Sequence, residues 1–393
     1  MRSVDGPNFR QAHERDRERL IELEGQGYPF ESGQLELERA IFHNPLGELR
    51  DFHVGTLDDD IVCQAFLFRL RAYFGGARVK MGGIASVAVA AEARGRGAAS
   101  GLMDHLHSLA RRRGMPITML YAFRQGFYTR LGYAPCSSRK RLVIDARAIP
   151  RSWNAPVRRA RGADRRLIER LHREVARTMT GVHERPKALW DLRLARPTRI
   201  ILVTDGGYLM FEIRQEVHHT EAVAVVDELV ATTLDARRAL LGALGRMRDQ
   251  VSSIEYEVAE NDPIELALID PDGHRYGDQE VEHDLGRLVG GPLVRLTDVE
   301  LGLTARGYHA DGAFTVALDD RHLGVQVKGG VAALGRPRGP ELATGRATLG
   351  ALLYGGLGLR EAVRLGLARI DAKALARVDS ILRLPPILPL DPF

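Results

Sequence analysis

The stretch from Ser86 to Ala99 constrains the fold more than any other part of the chain. Its first residues, Ser86–Val89, are typical of a short strand, and the turn Arg94-Gly95-Arg96-Gly97 leads into the start of an amphipathic helix. Such a turn presents backbone N–H groups to an anion, and the helix dipole adds positive potential there. The arginines add charge, and the glycines let a ligand approach the backbone closely. The stretch therefore predicts a site for a phosphate-bearing cofactor.

The segments around this turn follow an order that narrows the choice of fold. Apolar and β-branched runs predict strands, and apolar residues at helical spacing predict helices. The predicted elements are helices over residues 8–25 and Leu35–Phe42, strands over Leu49–Leu57, Ile61–Tyr73 and Val79–Val89, a helix over Gly101–Arg113, a strand over Ile117–Ala122, a short helix over Gln125–Leu131 and a strand from Tyr133 through Ile144. A hairpin, a strand, the basic turn, a helix, a strand, a helix and a strand thus follow one another.

Two motifs lie in register within this order of elements. The first is Arg94-x-x-Gly97-x-Ala99, and the second is Phe127-Tyr128-x-x-Leu131-Gly132-Tyr133. Together they resemble the pyrophosphate motif and the Tyr…Leu-Gly-aromatic motif of the Gcn5-related N-acetyltransferases (GNAT). A Rossmann turn fits less well, because no Gly-x-Gly-x-x-Gly follows the first strand, and a P-loop would need a Gly-Lys-Ser/Thr that the turn lacks.

The remainder of the chain predicts a second fold of the same order and then a different region. Strands over Tyr208–Arg214 and Ala222–Leu229 precede a helix over Leu234–Asp249, without a basic glycine turn, so this half is expected to keep the fold without binding a cofactor. The segment Ala347–Gly356, which ends in Leu-Tyr-Gly-Gly, and the final Phe393 resemble the enhanced intracellular survival (Eis) acetyltransferases.

The Eis resemblance implies a mixed α/β (α+β) chain with tandem GNAT folds followed by a sterol-carrier-like domain. The implied bounds are residues 1–148 for the catalytic GNAT domain, 149–288 for a second GNAT-like domain and 289–393 for the sterol-carrier-like domain with its tail in the active site. It further implies a homo-hexamer that transfers the acetyl group of acetyl-CoA to a primary amine. Aminoglycoside-like polyamines and lysine side chains are the expected acceptors.

The donor site and the proton transfers are assigned to residues through the resemblance, and the acceptor pocket through the acidic lining that a polycation favours. Acetyl-CoA is expected to contact Val87, Ala88, Val89, Arg94, Gly95, Arg96, Gly97, Ala98 and Ala99. Tyr128 matches the general acid, since a phenol with a pKa of ~10 stays protonated at neutral pH, and the alternative is a packing role in the core. The carboxylate of Phe393 matches the base, and the alternative is a frayed chain end. The acceptor pocket is expected to include Tyr28, Phe30 and Glu31; Glu24 and Asp391 are further acidic candidates, although each alone is typical of an exposed residue.

Composition and charge argue against several other classes. The net charge is +5, but acids and bases are mixed, and the basic run Arg158–Arg177 is typical of a solvated helix face without interleaved aromatic residues, so no nucleic-acid partner is expected. No apolar run is long enough for a membrane span, and the isolated Cys63 and Cys136 predict neither a disulfide nor a metal site, so a cytoplasmic location is expected.

The alternative to an acetyltransferase is a lipid-binding, sterol-carrier-like protein with a degenerate acetyltransferase domain.

Overall fold

Three β-sheets with helices packed on them form the framework of the chain, which confirms the mixed α/β prediction. The computed structural model describes residues 7–29, 33–215, 222–270, 284–388, 390, 391 and 393. Phe30 and Glu31, two of the predicted acceptor residues, lie outside this part of the chain.

The first region follows the predicted order closely. Its elements are β1 (Asn8–Gln11), α1 (Arg17–Gly27), α2 (Gln34–Phe42), β2 (Phe52–Leu57), β3 (Asp60–Phe74), β4 (Ala77–Val89), α3 (Ala98–Arg112), β5 (Ile117–Leu120), α4 (Gln125–Arg130) and β6 (Ala134–Pro135). The prediction of a helix from residue 8 is wrong at its start, because Asn8–Gln11 pair with β2 in an antiparallel ladder. Local spacing could not reveal this partner, which lies far along the chain.

The second region repeats much of that order. Its elements are β7 (Arg139–Asp145), β8 (Arg158–Arg159), α5 (Arg165–Ala176), α6 (Lys187–Ala195), β9 (Ile200–Thr204), β10 (Gly207–Gln215), β11 (Ala222–Ala231), α7 (Leu234–Gly245), β12 (Val251–Ala259) and β13 (Gly286–Val289). Even the entry to the first long helix is repeated: Arg10 pairs with Asp16 before α1, and Arg158 pairs with Asp164 before α5. The two regions are therefore built on one plan.

The third region forms a smaller sheet with helices beside it. Its elements are β14 (Leu293–Leu296), α8 (Val299–Ala305), β15 (Gly312–Leu318), β16 (Arg321–Lys328), β17 (Val331–Gly335), β18 (Glu341–Thr344), α9 (Arg346–Tyr354), α10 (Leu359–Arg364), β19 (Ala368–Arg369) and α11 (Ala372–Leu382). The strand order in its sheet is β17-β16-β15-β18-β19. The likeness of this region to a sterol carrier domain stays a prediction.

Strands from different regions of the chain share the first two sheets. The continuous strand predicted from Tyr133 through Ile144 is divided, since β6 lies in the first sheet and β7 lies in the second. The segment Leu293–Leu296, which begins the third region, is β14 and lies between β5 and β6 in the first sheet. The first sheet has the order β1-β2-β3-β4-β5-β14-β6, and the second has the order β13-β7-β12-β11-β10-β9-β8. These exchanges tie the regions together through backbone hydrogen bonds.

The central strands β4 and β5 pair only briefly and then separate. Their parallel ladder comprises Met81–Gly83 against Ile117–Met119, whereas β4 continues along β3 to Val89. A bulge interrupts the β3–β4 ladder beyond this point, and Ser86 has a φ of 51°, which is unusual for a residue with a side chain. Within the described residues, the edge of β4 beyond Gly83 therefore faces an opening that β5 does not fill.

The cores follow the same division. One continuous buried cluster extends from the first sheet into the third region, where the rings of Phe74 and Tyr354 meet at 4.9 Å between centroids. Separate buried clusters contain Leu240 on the α7 side and Trp190 with Tyr208 on the α5 and α6 side of the second sheet. The opening beside β4 therefore lies within a packed framework.

Candidate active site

The basic turn after β4 has the backbone geometry of an anion site. Gly95 and Gly97 have φ values of 77° and 83°, a conformation that glycine adopts without the steric cost paid by other residues. Gly97 is the N-cap residue of α3, and no side-chain hydrogen bond caps the helix there. Because the first N–H groups of a helix have no partner within it, those of α3 are available to an anion at the positive end of the helix dipole.

The two arginines of this turn have different surroundings. Arg94 donates from Nε to the carbonyl of Val89 at 3.2 Å and from Nη2 to the carbonyl of Gln26 at 3.4 Å. It therefore connects the turn to the ends of β4 and α1. Arg96 is exposed on the same turn. Both supply positive charge, and Arg94 also holds the shape of the turn.

The C-terminal end of α1 lies against the bulged part of β4. A Cβ at Gly27 would lie 2.9 Å from the Cβ of Ala88, so the close approach of helix and strand requires glycine. Ala88 is buried, and its neighbours Val87 and Val89 are half-buried. Tyr28 follows Gly27 directly and is also half-buried, so this predicted acceptor residue lies next to the strand that is predicted to hold the donor.

Tyr128 is held on the short helix α4, beside the separated strands. It is 5% exposed, and its ring meets those of Phe127 and Tyr133 at 4.9 and 5.9 Å between centroids. Burial raises the pKa of Tyr128 to about 12, so the phenol is protonated at neutral pH. Gly132 ends the helix with a φ of 84°, as predicted, while the N–H groups of Leu131 and Tyr133 donate to the carbonyl of Tyr128.

The neighbouring Tyr133 has a different environment. Its hydroxyl is hydrogen-bonded to Thr118 Oγ1 at 2.9 Å and to His107 Nε2 at 3.0 Å, and the side chain is buried. Burial lowers the pKa of His107 to about 3, so the imidazole is neutral. Tyr133 therefore joins the end of α4 to β5 and α3, and its hydroxyl is occupied by hydrogen bonds within the core.

Phe393 lies in the opening between β4 and β5. A Cβ at Gly83, the last residue of the β4–β5 ladder, would be 2.9 Å from Cδ2 of Phe393. On the other side, the ring of Phe393 meets that of Tyr121 edge to face at 5.6 Å between centroids. The end of the third region is thus placed near the first sheet, more than 200 residues earlier in the chain.

Tyr121 is a site residue that the sequence analysis did not single out. It follows β5 immediately, and none of the described residues accepts or donates a hydrogen bond at its buried hydroxyl. Burial raises its pKa. Its place at the carboxyl end of a central strand was the available signal, because ligands of open α/β sheets bind near such ends.

Two acidic residues that looked typical of the surface are buried. Glu24 is 1% exposed and accepts a hydrogen bond from Gln64 Nε2 at 2.9 Å. Asp391 is 3% exposed and accepts from Arg185 Nε at 2.6 Å. The expectation of exposure was wrong for both, because each has a polar partner distant in sequence that compensates for the loss of water.

Two partly open cavities are lined by other residues. A cavity of about 910 Å³ lies between residues 44–48, Arg69 and Glu184, and one of about 580 Å³ lies beside Arg161 and Arg196 in the second region. Neither includes a predicted catalytic or cofactor residue, so the strand opening, with its chemical groups, is the stronger candidate. Among the described residues, no group of histidine, cysteine and acidic side chains is arranged to hold a metal, and no helix is long and apolar enough to cross a membrane.

Known protein families match both the first and the second region of the chain. Residues 8–136 match a model described as an acetyltransferase (GNAT) domain, and residues 181–295 match a second model with the same description. The chain contains two GNAT domains. The predictions of tandem GNAT folds and of acetyltransferase domains are therefore confirmed, although the family model for the second domain extends to β14, a strand of the first sheet.

Individual relatives agree with this assignment. The N-acetyltransferases Eis of Mycobacterium tuberculosis and Mycobacterium bovis are 28% identical over 255 residues. The match spans 60% of this chain and 60% of each relative, less than two thirds of their length.

Solved structures share the fold over nearly the full chain. A GCN5-related N-acetyltransferase from Anabaena variabilis superposes with a TM-score of 0.84 at 19% identity, covering 98% of this chain and 100% of its own. One from Kribbella flavida has a TM-score of 0.79 at 23% identity, covering 99% of each chain. Eis1 from Mycobacterium abscessus has a TM-score of 0.77 at 20% identity, covering 98% of this chain and 100% of its own.

Proposed function

We propose that the chain is an N-acetyltransferase that transfers the acetyl group of acetyl-CoA directly to a primary amine. The observation that carries the proposal is the continuity of the β4 edge with the N-terminus of α3. The edge offers backbone groups to the amides of pantetheine, and the turn from Arg94 to Ala99 offers N–H groups and charge to the diphosphate. The bound thioester supplies the acetyl group.

The proton movements are assigned to two residues at the opening. Tyr128 donates its phenolic proton to the sulfur that leaves the acetyl group, and its raised pKa keeps that proton in place at neutral pH. The carboxylate of Phe393 accepts the proton of the incoming ammonium, directly or through a water. A carboxylate is a weak base in water, and the fit of the Phe393 ring between Gly83 and Tyr121 fixes the chain end at the opening where the amine would arrive.

The acceptor is proposed to enter beside Tyr28, with Phe30 and Glu31 as further lining residues. Aminoglycoside-like polyamines and lysine side chains are the proposed acceptors, on the Eis resemblance of the sequence and its similarity to the N-acetyltransferases Eis of mycobacteria. A cytoplasmic homo-hexamer is proposed with them, on the Eis resemblance of the sequence.

The direct test measures CoA release with acetyl-CoA and a panel of aminoglycosides, simple amines and lysine peptides. Mass spectrometry of the products counts the acetyl groups on each acceptor, and calorimetry measures CoA binding. Turnover of at least one amine class together with CoA binding is the expected result. Absence of both turnover and CoA binding would contradict the proposal.

A further inference from the structure

Four charged side chains form a buried cluster where the second GNAT domain meets the C-terminal tail. Arg185 precedes α6, Arg193 lies on α6, Glu228 lies on β11 and Asp391 belongs to the tail. The side chains of Arg185 and Glu228 are 0% exposed, that of Asp391 is 4% exposed and that of Arg193 is 14% exposed. Two positive and two negative groups are thus withdrawn from water together.

The hydrogen bonds and ion pairs of the cluster connect every cation to every anion. Arg185 donates from Nε to Asp391 Oδ2 at 2.6 Å and from Nη1 to Glu228 Oε1 at 3.1 Å. Arg193 Nη1 lies 3.1 Å from Asp391 Oδ1, and its Nη2 donates to Glu228 Oε2 at 2.8 Å. Removing the Asp391 charge would leave two buried guanidinium groups with one carboxylate between them, an arrangement that is strongly disfavoured.

Surrounding aromatic groups fix the cluster in place. The Arg185 guanidinium lies 4.6 Å from the centroid of the Trp190 ring, and the Tyr208 hydroxyl donates to Glu228. His172 meets Trp190 edge to face, and burial lowers the pKa of this histidine to about 4, so it adds no charge at neutral pH. Burial alone would raise the pKa of Glu228, but Arg185 and Arg193 outweigh that effect and lower it, so the carboxylate is ionised. The charges therefore balance at neutral pH.

The cluster lies at the position in the second GNAT domain that corresponds to the opening beside β4 in the first domain. The β11–β12 ladder ends at Val226, and the next register shift places Glu228 opposite Met210. The first domain has the same succession, since the β4–β5 ladder ends at Gly83 and a bulge follows in β4. The bulged strand β4 faces the proposed donor in the first domain. Its counterpart in the second domain is the bulged strand β11, which faces the protein's own C-terminal tail.

Backbone hydrogen bonds hold the tail before it reaches this cluster. Ile387 donates its N–H to Ser137 Oγ at 2.7 Å, and Leu388 donates to the carbonyl of Thr180 at 3.2 Å. The segment around Thr180 is joined to β3, because Gly181 donates to the carbonyl of Tyr73 at 2.9 Å. Asp391 is therefore fixed beside the first sheet, two positions before Phe393.

We propose that the second GNAT domain is the receptor for the C-terminal tail: Arg185 and Arg193 bind Asp391 and thereby hold Phe393 in the opening between β4 and β5. Asp391 is a positioning residue, since it acts on the reaction through Phe393. The catalytic consequence rests on the proposed N-acetyltransferase function, whereas the binding of the tail does not.

The experiment compares the full-length wild-type protein with Asp391→Asn and Asp391→Glu. Hydrogen exchange followed by mass spectrometry reports the protection of residues 384–393, and steady-state kinetics give kcat and the KM for acetyl-CoA. Asp371→Asn is the matched control, because Asp371 is an exposed helix cap whose Oδ1 accepts from the Lys373 N–H, a role that asparagine also fills.

Asp391→Asn is expected to speed exchange of the tail at least about tenfold and to lower kcat about ten- to hundredfold, since small displacements of a reacting group have effects of this size. The KM for acetyl-CoA is expected to stay within about twofold, because the donor is assigned to β4 and the α3 turn. Asp391→Glu is expected to restore part of both losses, and Asp371→Asn is expected to match wild type. If Asp391→Asn fails to fold, Arg193→Gln, at the more exposed edge of the cluster, is measured in the same way and is expected to show the same pattern.

The possible failures are distinguishable. A wild-type protein without turnover or CoA binding contradicts the proposed function, and the exchange data then still test the tail receptor. An unprotected tail in the wild-type protein overturns the inference whatever the activity. Wild-type kcat and tail exchange in a folded Asp391→Asn, or in Arg193→Gln where that variant replaces it, also overturn it.

Discussion

The ring of Phe393 meets the ring of Tyr121 edge to face, at 5.6 Å between centroids and an interplanar angle of 65°. Tyr121 directly follows the central strand β5, so the contact places the end of the described chain at the point where β5 leaves β4. The aromatic contact and the close fit against Gly83 fix the ring from both sides. A group so placed is well situated to act on a substrate in the opening.

Removal of Phe393 is expected to lower kcat sharply without unfolding the protein. The deletion takes away the ring that fits between Gly83 and Tyr121 and moves the chain end away from the opening. Circular dichroism and thermal unfolding check the fold, and CoA release measures kcat.

Phe393→Leu serves as the control for the deletion, since it replaces the ring with a smaller apolar side chain but retains a carboxylate at the same position. It is expected to keep more activity than the deletion. Undiminished turnover by the deletion variant would exclude Phe393 as the base.

Tyr128→Phe is expected to reduce kcat by about 10²- to 10⁴-fold, the usual range for loss of a general acid, with little change in the KM for acetyl-CoA. The ring contacts with Phe127 and Tyr133 remain, so the fold should be kept. Because the pKa of Tyr128 is raised to about 12, deprotonation of this residue should not limit wild-type activity below about pH 10.

The matched control for this variant is Tyr308→Phe, which removes another buried hydroxyl that donates to the carbonyl of Leu303 in the third region. Its kcat is expected to stay within about twofold of wild type, even if stability falls. Equal activity of Tyr128→Phe and Tyr308→Phe would argue for the packing role of Tyr128.

The parts of the site that could be predicted from sequence are those that local chemistry encodes. The positive φ of Gly97 and the start of α3 follow from a glycine before a helical pattern, and Gly132 ends α4 for the same type of reason. The segments of β3 and β4 are apolar runs with a turn between them. Such features depend on a few neighbouring residues, so one sequence suffices to find them.

The parts that could not be predicted depend on partners distant in sequence. The short, mostly apolar segment Leu293–Leu296 is typical of a strand, but its local pattern does not show that its neighbours are β5 and β6. The sequence around Asp391 is typical of an exposed tail. Only the tertiary fold places Arg185, which is 206 positions away, beside it. Pairing of this kind is decided by the tertiary fold rather than by the local pattern.

Gly97→Ala is expected to weaken the cofactor site and the fold together. A φ of 83° disfavours a residue with a Cβ, so the substitution should distort the turn or lower the free energy of unfolding by about 1–2 kcal/mol. The displaced N–H groups should raise the KM for acetyl-CoA about tenfold or more, as measured by initial rates at varied acetyl-CoA.

Gly335→Ala provides the comparison, since a Cβ there meets open space among the described residues and no positive φ is involved. Both the KM and the denaturant midpoint of this variant should equal those of wild type. If Gly97→Ala binds acetyl-CoA with an unchanged KM, the α3 N-terminus is not the diphosphate site.

Acid should destabilise the protein through His107, which is buried against Tyr133. Its pKa is lowered to about 3 in the folded protein, against about 6.5 in an unfolded chain, so the unfolded state takes up a proton first as the pH falls. The stability due to the neutral imidazole is present above about pH 6.5 and is lost toward pH 3, with about 2 kcal/mol of the free energy of unfolding lost between pH 7 and pH 5. Urea unfolding at these two pH values measures the loss.

His107→Gln should reduce this difference in the free energy of unfolding by that amount, whereas His309→Gln, at an exposed position, should leave it unchanged. An equal pH dependence in all three proteins would show that His107 is not the group responsible.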